Sequence, residues 1–246
     1  MRYFIELSYL GTAYHGWQRQ NNAATVQDCL EVGLSTILRC KTAVTGCGRT
    51  DAGVHAKQFF LHFDHEGVEN TEKLAFALNG ILPLDISIHG IRAVAHEAHA
   101  RFDASARSYE YWIHQKKNPF LNGVSHYFRL DLDLAAMNEA AELLLSTKEF
   151  GAFCKVGSDN KTMFCDVSEA RWEQKEDQLI FHITADRFLR NMVRALVGTL
   201  MSVGQGITSL SKFQEIINSQ NRSEAGLSAP AQGLYLVKIK YPYINE

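Results

Sequence analysis

The sequence predicts an α+β fold in which two β-α-β-β-α-β units follow one another along 246 residues. Segments that alternate apolar and polar residues, as half-buried strands do, are separated by segments with apolar residues at helical spacing. The same order of elements occurs in each half of the chain, and it is that of the ferredoxin-like arrangement. We therefore predict two tandem ferredoxin-like domains, at 1–103 and 104–246, whose antiparallel sheets form a central cleft.

In the first half, four strands are interrupted by two helices. The strands are expected, in order, at 3–9, 42–47, 58–63 and 85–94. The first helix is expected at 25–39 because Thr25 and Asp28 resemble a capping box ahead of a helical apolar pattern. The second helix fits 71–79, and Pro83 lies just past its end.

The second half repeats this order. Its strands are expected at 107–114, 165–173, 179–185 and 234–241. Its helices are expected at 133–145, 187–203 and 209–218. The helix at 187–203 has a strong apolar pattern and stops at Gly204, a residue type common at helix C-termini. The first domain should end, and the second begin, where the repeat restarts.

The composition is that of a globular protein with a core. Hydrophobic residues make up 46% of the chain and charged residues 21%. No apolar run approaches the ~20 residues that span a bilayer. Five scattered cysteines and an N-terminus without a signal-peptide pattern indicate a cytoplasmic protein. Because the net charge is -2, a nucleic-acid partner would have to bind a local basic surface.

Residues 48–56 (GRTDAGVHA) are the most informative stretch. They place one carboxylate, Asp51, beside a cation and between Gly48 and Gly53, where the backbone can bend and a substrate can approach closely. No second acid lies nearby, so the run does not fit a hydrolase with paired carboxylates. The alternative interpretation is a β-turn in which Asp51 caps its own backbone.

Further segments accompany this run along almost the whole chain. They are residues 11–20 (GTAYHGWQRQ), 100–111 (ARFDASARSYEY), 188–198 (FLRNMVRALVG) and 233–237 (GLYLV). In this order the segments resemble the TruA family of tRNA pseudouridine synthases. One departure is visible, because this chain has Lys57-Gln58 where the family usually has Gly-Gln.

The resemblance implies that uridine is isomerised to pseudouridine at positions 38 to 40 of the tRNA anticodon stem-loop, by a homodimer. The C–N glycosidic bond breaks and a C–C bond forms between ribose C1′ and uracil C5. No atoms or electrons are added, so no cofactor or metal is expected. Asp51 is the candidate nucleophile, as carboxylates are in glycoside cleavage, and it can serve again as the base. A ribose adduct, a base adduct and an elimination route all stay open.

The resemblance also assigns substrate-binding residues. Arg49 would help to displace the target base, although a plain phosphate contact is an alternative. Tyr109 would stack on the flipped uracil, Leu234 would line its pocket, and Arg194 would pair with Asp51. For Tyr109 and Leu234 the alternative is an ordinary core position in a strand.

Arg187, Arg190 and Arg194 are spaced i, i+3 and i+7 and would share one face of the predicted helix. A solvated charged face is the default interpretation of such a pattern. If Arg194 pairs with Asp51, as the resemblance implies, Arg187 and Arg190 would lie near the cleft and contact RNA phosphates. Further cations that could extend the basic surface are Arg19, Arg101, Arg107, Lys116 and Lys117.

Ten histidines raise the question of a metal site, but none fits a known ligand motif, and His62 is expected on the surface. One rival function is a metal-dependent hydrolase that uses Asp51 and nearby histidines. The other is a non-catalytic tandem RNA-binding module that stacks bases on Tyr109 and Tyr111.

Overall fold

The computed structural model describes residues 1–244, which contain five α-helices and nine β-strands. The predicted α+β class is confirmed. The chain forms two compact units: unit 1 is Met1–Ser105 together with the C-terminal segment from Tyr235, and unit 2 is Ala106–Leu234. The sequence-based domains, 1–103 and 104–246, stay a prediction. The observed units differ from them in grouping the C-terminal segment with unit 1.

Unit 1 has its sheet built around β1. The strands of this sheet are β1 (Arg2–Tyr9), β2 (Thr45–Gly46), β3 (His55–Asp64), β4 (Ile86–Val94) and β9 (Leu234–Lys240). β1 pairs antiparallel with both β3 and β4, and β2 pairs antiparallel with β3. β9 runs parallel to β3 and places Tyr235 opposite His55.

Two helices complete unit 1, and their N-termini follow from the sequence. They are α1 (Val26–Leu38) and α2 (Thr71–Ile81). The hydroxyl of Thr25 accepts the backbone N–H of Asp28 at 3.3 Å and donates to the Asp28 carboxylate at 2.6 Å. This confirms the expected cap. Asn70 caps α2 through its side-chain oxygen, which accepts the N–H of Lys73 at 2.8 Å.

Unit 2 has a sheet centred on β8. Its strands are β5 (Ala106–His114), β6 (His126–Tyr127), β7 (Val167–Lys175) and β8 (Gln178–Ala185). β8 pairs antiparallel with β5 and β7. The helices are α3 (Leu134–Ser146), α4 (Met192–Gly204) and α5 (Leu210–Ser219). α4 is largely buried, and Gly204 packs so closely on Met137 of α3 that a Cβ there would lie 2.4 Å from the Met137 sulfur.

The helix predicted at 187–203 is shorter than expected, because α4 begins only at Met192. The Asp186 carboxylate accepts the backbone N–H groups of Arg187 and Asp166, both at 2.7 Å, which favours a turn over a helix. Asn191 then adopts a left-handed conformation with φ of 65° and precedes the helix. The common helix face predicted for Arg187, Arg190 and Arg194 is therefore wrong.

Within residues 1–244, none of the helices combines the length and the apolar character that crossing a bilayer requires.

Candidate functional site

Asp51 lies in the turn between β2 and β3, where it is half-buried. Its carbonyl accepts the N–H of Val54 at 3.1 Å, and Gly53 occupies the left-handed region with φ of 79°. Beside it, the buried hydroxyl of Thr50 shares a 2.9 Å hydrogen bond with the Tyr9 hydroxyl of β1. The backbone on both sides of the carboxylate is thus fixed by local hydrogen bonds.

The segment at 11–17 packs against the backbone of this turn, although it is distant in sequence. A Cβ on Gly11 would lie 2.0 Å from the carbonyl oxygen of Val54, and one on Gly16 would lie 2.5 Å from that of Thr50. Only glycine permits such close approach of two backbones. The buried Trp17 completes the contact by donating its backbone N–H to Thr50 at 3.2 Å. Two of the sequence motifs therefore form one structural element.

Tyr14 connects this element to Asp85, the residue just before β4. Its backbone carbonyl accepts the N–H of Gly53 at 3.2 Å, and its hydroxyl donates to the Asp85 carboxylate at 2.5 Å. Burial, reinforced by the hydrogen bond to Asp85, raises the pKa of the Tyr14 phenol well above its usual value. No pattern in the sequence indicates a role for Asp85, because its partner lies 71 residues away.

His55 and His62, the two histidines of β3, have structural roles. His55 is fully buried, and its Nδ1 accepts the N–H of Gly11 at 3.0 Å. His62 is 6% exposed, and its Nδ1 accepts the N–H of Ala100 at 3.1 Å. Burial, followed by the nearby Arg2 cation, lowers the pKa of His62 to about 4. The prediction of a surface position for His62 is wrong, because β3 is buried on both faces from Phe59 onward.

No group of three or more His, Cys, Asp or Glu side chains within residues 1–244 is arranged to hold a metal ion. The rival interpretation as a metal-dependent hydrolase therefore gains no support from the described part of the chain.

Arg49 is exposed at the start of the Asp51 turn, and its Nε donates to the Oε1 of Gln18 at 3.1 Å. Arg19, which follows Gln18 in sequence, forms ion pairs with Asp28 and Glu31. The charge of Arg19, which was expected to extend a basic surface, is therefore largely offset within unit 1. Sequence reasoning assigned no role to Gln18.

In unit 2, Tyr109 and Tyr111 lie on β5 at positions that share one face. Tyr109 is half-buried and meets the Phe188 ring edge-on, with 5.1 Å between centroids. Tyr111 is fully buried, and its hydroxyl donates to the carbonyl of Pro230 at 2.8 Å. A pair of exposed stacking aromatics is thus absent here, which counts against the non-catalytic RNA-binding module. Leu234, at the start of β9, is 6% exposed.

Arg194 is in the first turn of α4 and is half-buried. Its Nε donates to the carbonyl of Ala229 at 2.7 Å, and its own carbonyl accepts the N–H of Ala229 at 2.9 Å. The segment around Ala229 lies tightly against α4, because a Cβ on Gly198 would be 1.8 Å from the carbonyl oxygen of Leu227. The Arg194 side chain is therefore anchored to a segment that packs tightly against α4.

Arg187 and Arg190 lie in the turn before α4. Nη1 of Arg187 donates to the hydroxyl of Thr162 at 3.1 Å, whereas Arg190 is exposed and its carbonyl accepts the N–H of Lys155 at 3.0 Å. Two open grooves of about 420 and 260 Å³ follow the 154–164 segment. Neither groove is lined by a residue of the predicted site.

Comparison with known proteins gives consistent matches along the chain. A family model described as tRNA pseudouridine synthase matches residues 7–103 and 140–242. The tRNA pseudouridine synthase A of Bacteroides thetaiotaomicron is 49% identical over 244 residues, which cover 98% of this chain and 91% of the relative. The enzyme of the same name from Porphyromonas gingivalis is 48% identical, with coverage of 98% and 97%.

A more distant relative gives the same result. The tRNA pseudouridine synthase A of Acetivibrio thermocellus is 38% identical over 237 residues, covering 96% of this chain and 97% of the relative. The motifs around Asp51 and Arg194 fall within the residues that the family model matches, whereas Tyr109 lies between its two matched ranges. The chain thus belongs to the tRNA pseudouridine synthase family and is an isomerase.

Proposed function

We propose that this enzyme converts uridine to pseudouridine at positions 38 to 40 of the tRNA anticodon stem-loop, with Asp51 as the nucleophile. The observation that carries the proposal is the turn at Asp51, a single carboxylate on a backbone fixed by Thr50, Gly53 and Val54. Full-length similarity to enzymes named tRNA pseudouridine synthase A supports the choice of substrate.

The same similarity supports further proposals about the whole molecule. We propose two tandem ferredoxin-like domains, because the first half has the β-α-β-β-α-β order and the second half has the same order with β6 and α5 added. We also propose that the enzyme acts as a homodimer in the cytoplasm.

The chemistry needs one carboxylate and no external oxidant or reductant. Attack by the Asp51 carboxylate accompanies cleavage of the bond between ribose C1′ and uracil N1. The released uracil turns, and C5 forms the new bond to C1′ while the bond between C1′ and the Asp51 carboxylate breaks. The proton on C5 then leaves to a base, a task that Asp51 can perform once it is free again, and N1 gains a proton. Reactant and product are isomers, so the atoms balance.

Arg194 is proposed to pair with Asp51 and to keep that carboxylate ionised, since an opposite charge at short range favours the charged form. The hydrogen bond from Arg194 Nε to the carbonyl of Ala229 supports this role, because a cation that is already fixed loses little conformational freedom when it binds an anion. Tyr109 would stack on the flipped uracil, and the buried Leu234 would form the apolar wall of its pocket.

Arg49 is proposed to displace the target base. A stacked nucleotide must leave its stem before reaction, and extrusion costs a few kcal/mol. The exposure of Arg49 next to the Asp51 turn supports this role. Arg187 and Arg190 are proposed to contact phosphates of the tRNA backbone.

The proposed position is tested with tRNA transcripts that carry a single uridine at 38, 39 or 40. The purified protein is incubated with each transcript, and pseudouridine is located by mass spectrometry of nuclease fragments. Each of the three transcripts should be modified at its single uridine. Pseudouridine formed only outside the anticodon stem-loop would overturn the proposed position, and its complete absence would overturn the proposed function.

A further inference from the structure

A chain of three side-chain hydrogen bonds in unit 1 connects the exposed Arg49 to a buried position on α1. Arg49 Nε donates to Gln18 Oε1 at 3.1 Å, and Gln18 Nε2 donates to Gln27 Oε1 at 2.9 Å. Gln27 Nε2 in turn donates to Glu31 Oε1 at 3.0 Å. Gln27 is 9% exposed, whereas Gln18 and Arg49 lie at the surface.

Each link of this chain has only one possible direction. The Glu31 carboxylate accepts hydrogen bonds, so Gln27 must turn its NH₂ group toward it. The Gln27 carbonyl therefore points to the surface, where it also accepts the backbone N–H of Arg19 at 3.0 Å. Gln18 must then turn its own NH₂ group inward, which leaves its carbonyl oxygen facing Arg49.

The guanidinium group of Arg49 is consequently held by Gln18 through its Nε edge. Within residues 1–244, Gln18 is the hydrogen-bond partner of Arg49, and the bond engages only Nε. The four N–H groups on the two terminal nitrogens take no part in this bond, and the planar shape of guanidinium fixes their directions relative to it. An arginine held in this way has already lost much of the rotamer freedom that a ligand would otherwise have to restrict.

We propose that Gln18 is a positioning residue that pre-orients Arg49 for displacement of the target base. This inference rests on the proposed function of Arg49. Gln18 does not touch the reacting atoms and acts through the arginine. Gln27, which is buried, and Glu31, which is half-buried, hold the inner end of the hydrogen-bond chain on α1. Gln18 thereby orients the exposed guanidinium relative to α1.

The primary test is Gln18→Met, which keeps the length of the side chain and removes both hydrogen-bonding groups. Gln18 is exposed, so the variant should fold, and its thermal unfolding is measured to verify this. We expect the single-turnover rate at saturating tRNA to fall about tenfold, the usual size for loss of one hydrogen bond to a charged group. The Kd for tRNA should change by less than about twofold, because the charge of Arg49 is retained.

Two further measurements separate positioning from general damage. In an Arg49→Met background, adding Gln18→Met should have no further effect on the rate, since a residue that acts only through Arg49 is silent without it. A tRNA whose target uridine is mismatched has lost much of its pairing energy. On that substrate the Gln18→Met defect should shrink to less than about threefold.

The matched control is Gln214→Met on α5, a half-exposed glutamine of unit 2 whose Nε2 donates to the Oδ1 of Asn218 at 3.2 Å. It should behave like the parent enzyme on both substrates.

The outcomes distinguish the inference from the proposed function. A parent-like rate for Gln18→Met, while Arg49→Met is slow, would overturn the positioning role and leave the function of Arg49 intact. Independent, multiplicative losses in the double variant would also overturn it. A parent-like rate for Arg49→Met would reject both the base-displacing role and its positioning by Gln18, whereas an inactive parent would reject the proposed function itself.

Discussion

The Asp51 turn of unit 1 and the turn before α4 in unit 2 are both parts of the predicted site, but they are held differently. The first is fixed by backbone contacts too close for any residue except glycine, at Gly11 and Gly16. The second is fixed by one carboxylate, that of Asp186, and presents Arg190 to solvent. This difference agrees with the proposed roles, in which the Asp51 turn positions the reacting carboxylate and the turn before α4 supplies charge.

The largest effect is expected at the centre of the first turn. Asp51→Asn is nearly isosteric, so the variant should fold and bind tRNA, while turnover falls below about one thousandth of the parent rate because nucleophile and base are lost together. Pseudouridine formation is the measurement, and Asp177→Asn, an exposed aspartate of unit 2, is the control. Measurable turnover, with deamidation to Asp excluded by mass spectrometry, would contradict the mechanism.

The next effect concerns the proposed partner of Asp51. Arg194→Ala removes a cation and leaves a carboxylate unpaired, a defect that costs about 3–5 kcal/mol when the pair is buried. Turnover should fall on the order of 10²-fold. If Asp51→Asn is inactive and Arg194→Ala is fully active, Asp51 remains the nucleophile and the pairing is rejected.

The rigidity of the first turn is tested by Gly16→Ala. The residue has φ of 93°, and its new Cβ would lie 2.5 Å from the Thr50 carbonyl oxygen. We expect the free energy of unfolding to fall by about 1–3 kcal/mol, measured by urea unfolding. Gly80→Ala in α2, where a Cβ has nothing within 4 Å, should instead stabilise by about 0.5–1 kcal/mol. Equal stabilities of the two variants would show that the close approach is not a constraint.

Unit 1 should also respond to acid through His62. Its pKa is about 4 in the folded protein and near 6.5 when unfolded, so the unfolded state binds more protons between these values. The contribution of neutral His62 to stability is complete above pH 6.5 and is lost as the pH falls toward 4. His62→Gln should flatten the dependence of urea unfolding on pH in this window. A slope identical to that of the parent would assign the acid sensitivity to other groups.

The smallest effect is expected in the second turn. Each phosphate contact adds about one unit to the slope of log Kd against log salt concentration, so Arg187→Ala and Arg190→Ala should each reduce the slope by about one. Arg171→Ala on β7, whose arginine pairs with Glu169 and Glu173, is the control and should keep the parent slope. If both Arg187→Ala and Arg190→Ala also keep the parent slope, these arginines are solvated and do not contact tRNA phosphates.

Local pattern was sufficient for most of the fold. Alternating residues predicted β1 and β8 to within one or two residues, and the Thr25 cap placed the start of α1 correctly. These features depend on neighbours in sequence, whose hydrogen bonds and side-chain spacing are visible in the chain itself. The motif around Asp51 could also be recognised in the sequence, because its two glycines and its single carboxylate lie within a few residues of one another.

Tertiary structure decided the features that depend on distant partners. β3 begins at His55 and buries His62 because both of its faces are covered, so alternation gave the wrong exposure. The pattern at 187–191 predicted a helix, but the Asp186 carboxylate accepts backbone N–H groups there and favours a turn. The supports of the Asp51 turn and of Arg49, namely Asp85 and Gln18, are polar contacts across the folded chain that no local pattern encodes. The sequence by itself therefore determined most of the elements and the carboxylate proposed to react, and only packing determined what holds them in place.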